Sequence, residues 1–257
     1  MALRVYGWIA QAHPVVCILT DGSGGASSSR IKESTSLLRR LGAEIGPICG
    51  KFTDRQVYEH ILEENPVVFE EVCDGLAQLM VESNIDEVIS DAIEGYNPTH
   101  DLCEVLARNA AAIAASRSGR PIQHYTMPVT GDPRPRAGCG QADYKRIQLS
   151  TRQWREKLET ARIYCVHAGP TLRRELGDML QAYGEEAFAQ EYLFPAVKPH
   201  EGPEGRFQHQ KPYYESYGET QVAEGHYQFV IRFREHILPL TNRLDALGLA
   251  SHSHELA

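Results

Sequence analysis

Three stretches of the sequence carry residue types that can do chemistry. The first is "AQAHPVVCILTDGSGG", residues 10–25, which holds His13 in an Ala-His-Pro triplet and Asp21 in a glycine-rich turn. A histidine beside a proline is a candidate metal ligand. Gly22, Gly24 and Gly25 let the backbone turn sharply and approach a ligand closely, or simply make a flexible strand-to-helix loop. The turn is not a G-x-G-x-x-G fingerprint, and no acidic residue follows at the spacing a dinucleotide ribose needs. The second stretch is "EGYNPTHD", residues 94–101, with His100 opening a helix behind Pro98. A loop histidine there can act as a ligand or a base, or can cap the helix. The third is "KFTDRQ", where Asp54 can contact a ligand or cap the helix that begins there.

The elements that must position these residues follow from periodicity. "ALRVYGWIAQA" places Leu3, Tyr6, Ile9 and Ala10 on one helical face. "PVVCILT" is a continuous apolar run of strand length, the pattern of a strand buried on both faces of a parallel sheet. "SSSRIKESTSLLRRLG" reads as a helix with a serine N-cap and Gly42 as its stop. "AEIGPICG" is a second strand, residues 55–64 and 66–82 are helices, and "IDEVISDA" is a third strand. "THDLCEVLARNAAAIAAS" is a long helix and "PIQHYTMPVT" a fourth strand. This alternation predicts an α/β fold, a Rossmann-like three-layer body with a mostly parallel sheet. Ligands in such folds bind outside the carboxyl ends of strands, where "TDGSGG" and "EGYNPTHD" fall.

Residues 1–194 are expected to form the α/β body of a single domain, and 195–257 a loop-rich arm with a terminal helix. "FPAVKPHEGPEGRFQHQKPYYESYGETQVAEGHY" is rich in Gly, Pro, His and Tyr with little helical period, so it reads as a long loop. "KPYYESYGE" and "YQFVIRFREHILPL" then read as an extended arm, a short strand and a final helix. His209, His226 and His236 are not spaced as a metal set and suit hydrogen-bonding or surface roles. Tyr213, Tyr214 and Tyr217 can stack on a sugar or form a subunit contact. Trp8 and Trp154 are expected in packing.

Composition excludes several classes. A net charge of -8 disfavours nucleic acid and anionic membranes as partners. No apolar run approaches the roughly 20 residues that span a bilayer. The first residues show no signal-peptide pattern, and six scattered cysteines without a C-x-x-C pair read as reduced thiols in a cytoplasmic protein.

Read in order, "VVCILTDGSGG", "RIKES…LLRRLG" and "DAIEGYNPTHDLCEVLARNAA" resemble the LmbE/PIG-L family of zinc-dependent N-deacetylases. That family has an early His-Pro-Asp-Asp motif, a strand ending in Thr-Asp-Gly, a helix opening Arg-x-x-Glu and a later His-Pro-Asp-His motif. Thr20-Asp21-Gly22 matches the second, Arg30 and Glu33 the third, and Asn97-Pro98-Thr99-His100 stands at the fourth. "WREKLETARIYCVH" is more loosely similar to the family's lysine-containing helix. The resemblance implies a zinc-dependent hydrolase that removes an acyl group from an amino sugar or related amine, a small-molecule substrate. It implies His100 as a metal ligand and Asn97 where the family has an oxyanion-stabilising histidine. It implies substrate contacts from Gly22, Gly24, Arg30 and Asp54. Arg30 has an alternative as an i, i+3 partner of Glu33.

The resemblance also settles how His13 reads. The family's metal motif follows its first strand, whereas Ala12-His13-Pro14 follows a helix and is continued by two valines. His13 is therefore the end of the first helix. The early motif, which supplies two of three zinc ligands and the general base, is missing, and the chain is expected to begin after it. The expectation is a chain inactive as it stands, with an unpaired strand edge open to dimerisation or other self-association. The alternative is a noncatalytic ligand-binding or assembly protein on the same fold.

Overall fold

A computed structural model describes residues 2–24, 28–135, 144–196, 207 and 210–253. The protein is a mixed α/β chain, rich in helix, with a small and mostly parallel β-structure. It divides into two compact units. The first comprises Met1–Asp54 and Met127–Phe194, and the second Arg55–Thr126 and Pro195–Ala257.

In the first unit, α1 (Ala2–Ala12) leads into β1 (Val15–Thr20), α2 (Ile31–Arg40) and β2 (Glu44–Phe52). β1 and β2 run parallel, as the apolar run predicts. Their register slips between Val16 and Ile18 and again between Ile18 and Thr20. β2 carries Gly46, Pro47 and Gly50 over the same stretch, and Gly50 has a φ of 65°, so the bulges sit where proline and glycine allow them. Among the described residues β1 hydrogen-bonds to β2 alone. α2 begins at Ile31 with Arg30 at the N-cap position, while Ser29 accepts the Ile31 amide through its hydroxyl and donates to the Asp21 carbonyl. His13 ends α1 in a left-handed conformation, with Nδ1 against the Gly42 carbonyl.

The rest of this unit holds β5 (Lys145–Gln148), α6 (Thr151–Ala168), α7 (Pro170–Tyr183) and β6 (Gln190–Pro195). β5 and β6 pair antiparallel, an element that the sequence pattern did not predict. Trp154 packs beside Leu158, Ala161 and Phe188 and donates to the Glu185 carbonyl, as a packing residue should. α1 is kinked at Val5, which leaves the helical region. The amides of Gly7 and Trp8 restart the helix, and the carboxylate of Glu191 accepts from both. Lys157 holds that carboxylate from the other side at 3.0 Å, with both side chains sealed from solvent.

The second unit contains α3 (Asp54–Leu62) from Arg55 on, α4 (Pro66–Glu82), β3 (Glu87–Asp91), α5 (Pro98–Ser118) and β4 (Gln123–Met127) up to Thr126, with β3 and β4 adjacent. α8 (Tyr213–Ala223) and α9 (Leu238–Ser253) follow, the latter entered through a π-helical turn at Phe233–Ile237. α5 is the central helix, and α4 and α9 pack on it. Phe69, Leu102, Leu106 and Leu244 are fully covered. Among the described residues past Pro195, Tyr214, Phe233, Ile237 and Leu244 are buried in this unit.

α8 corrects the reading of "KPYYESYGE" as an extended arm. Its buried face is Tyr214, Glu215 and Gly218, while Tyr213 and Tyr217 face outward, so no apolar period marks it. The short strand expected in "YQFVIRF" is absent among the described residues. Tyr214 is also separated from the two tyrosines with which it was grouped.

α5 carries a buried ionic cluster. Arg108 binds Asp245 at 2.9 Å and Glu104 at 3.2 Å, and Asn109 donates to Asp245. His124 lies nearby with Nε2 on the Ser90 hydroxyl at 2.8 Å and no partner for its buried Nδ1. Burial, followed by the Arg108 charge, pushes its pKa down to about 4. A histidine lowered in the folded state gives stability that is complete above its unfolded value of 6.5 and lost as pH falls towards 4. Replacing His124 by Asn is expected to remove up to about 3 kcal/mol of that acid-side loss. Urea unfolding of both proteins at either end of this window checks it, and parallel losses would refute the assignment.

Candidate functional site

The turn from Asp91 to Asp101 is built by its own polar groups. Asn97 is the N-cap of α5, and its Oδ1 accepts from the Thr99 amide at 2.8 Å, while Pro98 supplies the fixed first turn. Asp101, almost fully buried, reaches back and accepts from the amides of Glu94 and Gly95. Gly95 has a φ of 71°, and a Cβ there would stand 2.6 Å from the Phe207 ring. Gly95→Ala is therefore expected to destabilise the protein by about 2–4 kcal/mol, from left-handed strain plus overpacking. A thermal melt within error of wild type would show that the loop relaxes freely.

This frame places His100 in the first turn of α5, at the carboxyl end of β3. Its Nδ1 meets Asp91 Oδ2 at 2.5 Å. Burial opposes the charged ring, but the hydrogen bond and charge of Asp91 outweigh it and hold the imidazole above its usual range. Asp91 fixes the ring's orientation, and among the described residues Nε2 has no partner, the arrangement of a carboxylate-backed metal ligand or general base. The sequence reading missed Asp91. It ends a strand nine residues before His100, and no local spacing rule links the two. Asn97 donates through Nδ2 to the Tyr58 hydroxyl at 3.3 Å, so both ends of its amide are engaged.

The other predicted residues gather in the first unit. Gly22 and Gly24 both have positive φ, at 68° and 56°. Arg30 Nε donates to the Gly22 carbonyl, and Asp54 Oδ2 accepts from the Gly24 amide. Asp21 accepts from the amide and hydroxyl of Ser23. Arg30 and Asp54 thus brace the glycine turn: Arg30 is not engaged with Glu33, and Asp54 serves this loop. Gly25 and His209 lie outside the described residues. His226 bonds to Gln221, and His236 accepts the Arg232 amide, in the hydrogen-bonding roles expected of them.

A catalytic zinc takes three protein ligands. Among the described residues no group of three or more His, Cys, Asp or Glu side chains is arranged to hold a metal ion. His100 fits one ligand position, and the residues described here do not by themselves complete the site. Among the described residues no helix is long and apolar enough to cross a membrane. No family model matches the chain, and no curated protein matches it.

Proposed function

We propose that this chain is built on the LmbE/PIG-L plan, a Rossmann-like three-layer body whose activity is zinc-dependent hydrolysis of an N-acyl amino sugar or related amide. In this reading the 257-residue chain does not itself turn over. The supporting observation is the Asp91–His100 pair at the carboxyl end of β3, a histidine held by a carboxylate with Nε2 left for a ligand. His100 serves as one metal ligand. Asn97 Nδ2 stands three residues away as the donor that would meet a developing oxyanion, once released from Tyr58. Within the first unit, Arg30 and Asp54 brace the Gly22–Gly24 turn, the residues that the resemblance assigns to the substrate. In the family's plan the remaining ligands and the general base belong to a His-Pro-Asp-Asp motif. The setting is the cytoplasm, in keeping with free thiols at the five described cysteines, and the chain self-associates through an open strand edge.

The test is to express the 257-residue form and a form extended through the upstream reading frame, then measure bound zinc and acetate release from N-acetylglucosamine derivatives. Little zinc and no turnover in the short form, with both gained in the long form, is the expected result. Stoichiometric zinc and turnover in the short form would overturn the ligand assignment. The second reading, a noncatalytic binding protein on the same fold, is favoured by the commitment of Arg30 and Asp54 to bracing their own loop. An upstream frame without the motif would select it.

A further inference from the structure

We infer that Glu104 carries a proton that fastens α9 to α5, which makes the docking of α9 in the second unit a proton-operated latch. The charges at this contact do not balance. Glu104 and Asp245 share the guanidinium of Arg108, and the three side chains are 3%, 13% and 4% exposed. With both carboxylates ionised, the sealed contact holds one negative charge too many, and an unmatched buried charge is costly. The donors decide which carboxylate gives way. Arg108 Nη2 donates to both oxygens of Asp245, at 2.9 and 3.2 Å, and Asn109 Nδ2 adds a third bond at 2.8 Å. Glu104 faces Arg108 Nη1 at 3.5 Å from Oε1 and 3.2 Å from Oε2, and the buried Oε2 makes no hydrogen bond among the described residues.

The surroundings act in the same direction. Burial, with the charges of Asp245 and Asp101 added, outweighs Arg108 and pushes the Glu104 carboxyl up to about 7. On α4, burial keeps Cys73 a neutral thiol by pushing it up to about 12, while Glu70 and Asp74 bind Arg243 and Arg117. On β4, burial keeps His124 neutral until the pH falls towards 4. On α9, the Thr241 hydroxyl is buried without a hydrogen bond among the described residues. None of these groups brings Glu104 a second cation.

Release of α9 changes this balance. Asp245 belongs to α9, whereas Glu104, Arg108 and Asn109 belong to α5. When α9 lifts, Asp245 leaves with it, water enters, and Arg108 is left to Glu104 alone. Glu104 then gives its proton to water as an ordinary carboxyl does. Docking therefore takes up one proton at Glu104, and undocking releases it. A carboxyl raised in the docked state contributes stability that is complete below its solvated value of 4.5 and is lost as pH rises to about 7. The helices meet closely enough to register an unmatched charge: a Cβ on Gly248 of α9 would stand 2.5 Å from Asn109 Oδ1. The latch needs neither zinc nor turnover at His100 and stands if the proposed activity fails.

Hydrogen exchange of the 257-residue protein across this pH range, corrected for intrinsic exchange rates, tests it. The α9 amides should lose protection about tenfold per pH unit from about pH 5 to about pH 7 and level off above. The α4 amides should not follow that slope. Glu104→Gln, which keeps the shape of the protonated carboxyl, should hold α9 protection flat. Asp245→Asn, which leaves Arg108 to Glu104, should flatten it as well, and His124→Asn should keep the slope. Circular-dichroism melts establish that the variants fold. A second measurement needs the wild type alone: infrared difference spectra should show a protonated carboxyl band that persists at about pH 6 and is gone by about pH 8. A wild-type slope within error of zero, the same slope in α4 or in Glu104→Gln, or absence of the carboxyl band overturns the inference.

Discussion

Lys157→Met is expected to lower the stability of the first unit by about 3–5 kcal/mol, because it strands a charge in the core. Lys157 and Glu191 are 1% and 0% exposed at the side chain, so water cannot replace the lost partner. Burial alone pulls Lys157 down and Glu191 up in pKa, and only their 3.0 Å contact and the α1 amides offset it. The double variant Lys157→Met with Glu191→Gln should recover a substantial part of the loss. The amide oxygen of glutamine still accepts from Gly7 and Trp8 but carries no charge to strand. Chemical denaturation of the three proteins measures both effects. A single-variant loss below about 1 kcal/mol would mean that the kinked helix does not depend on this pair.

On the proposed hydrolase reading, His100→Ala in a form that carries a His-Pro-Asp-Asp motif should abolish metal-dependent turnover while leaving the circular-dichroism spectrum intact. Asp91→Asn, which acts through His100 as a positioning change, should reduce turnover about 10–100-fold. A second readout needs no activity. In the 257-residue chain, an NMR titration should find His100 above the usual histidine range, and Asp91→Asn should lower it, since only the Asp101 charge then opposes burial. The sign for stability follows. A histidine raised by folding contributes stability that is complete below its unfolded pKa and fades as pH rises through the folded value, and Asp91→Asn should erase that dependence. Unchanged turnover in His100→Ala would remove this residue from the site. An unshifted titration in Asp91→Asn would remove Asp91 from its role.

What the sequence determined by itself is what neighbours along the chain decide. The apolar run Val15–Thr20 had to be extended, and it pairs in parallel. Asn97-Pro98 had to start a helix, because an N-cap side chain and a proline at the first position act within three residues. His13 had to end α1, since Pro14 disfavours helix in the residue before it. The placement of His100 in the first turn of a helix behind a strand was legible for the same reason.

Tertiary structure alone decided the rest. Asp91 faces His100 because the turn between them is pinned by Asp101 on the amides of Glu94 and Gly95, a contact that no pattern of spacing encodes. α8 escaped detection because its covered face is a tyrosine, a glutamate and a glycine, and because the outward tyrosines satisfy one another. Lys157 and Glu191 read in the sequence as two surface charges 34 residues apart, and became one buried pair only when β6 and α6 met at the kink of α1. Arg30 and Asp54 looked available for substrate, yet each is held by a backbone group of the glycine turn. Local signals follow from backbone sterics and capping, which act over a few residues. Pairings of charge and ring depend on which surfaces the fold brings together, and that is set by packing of the whole unit.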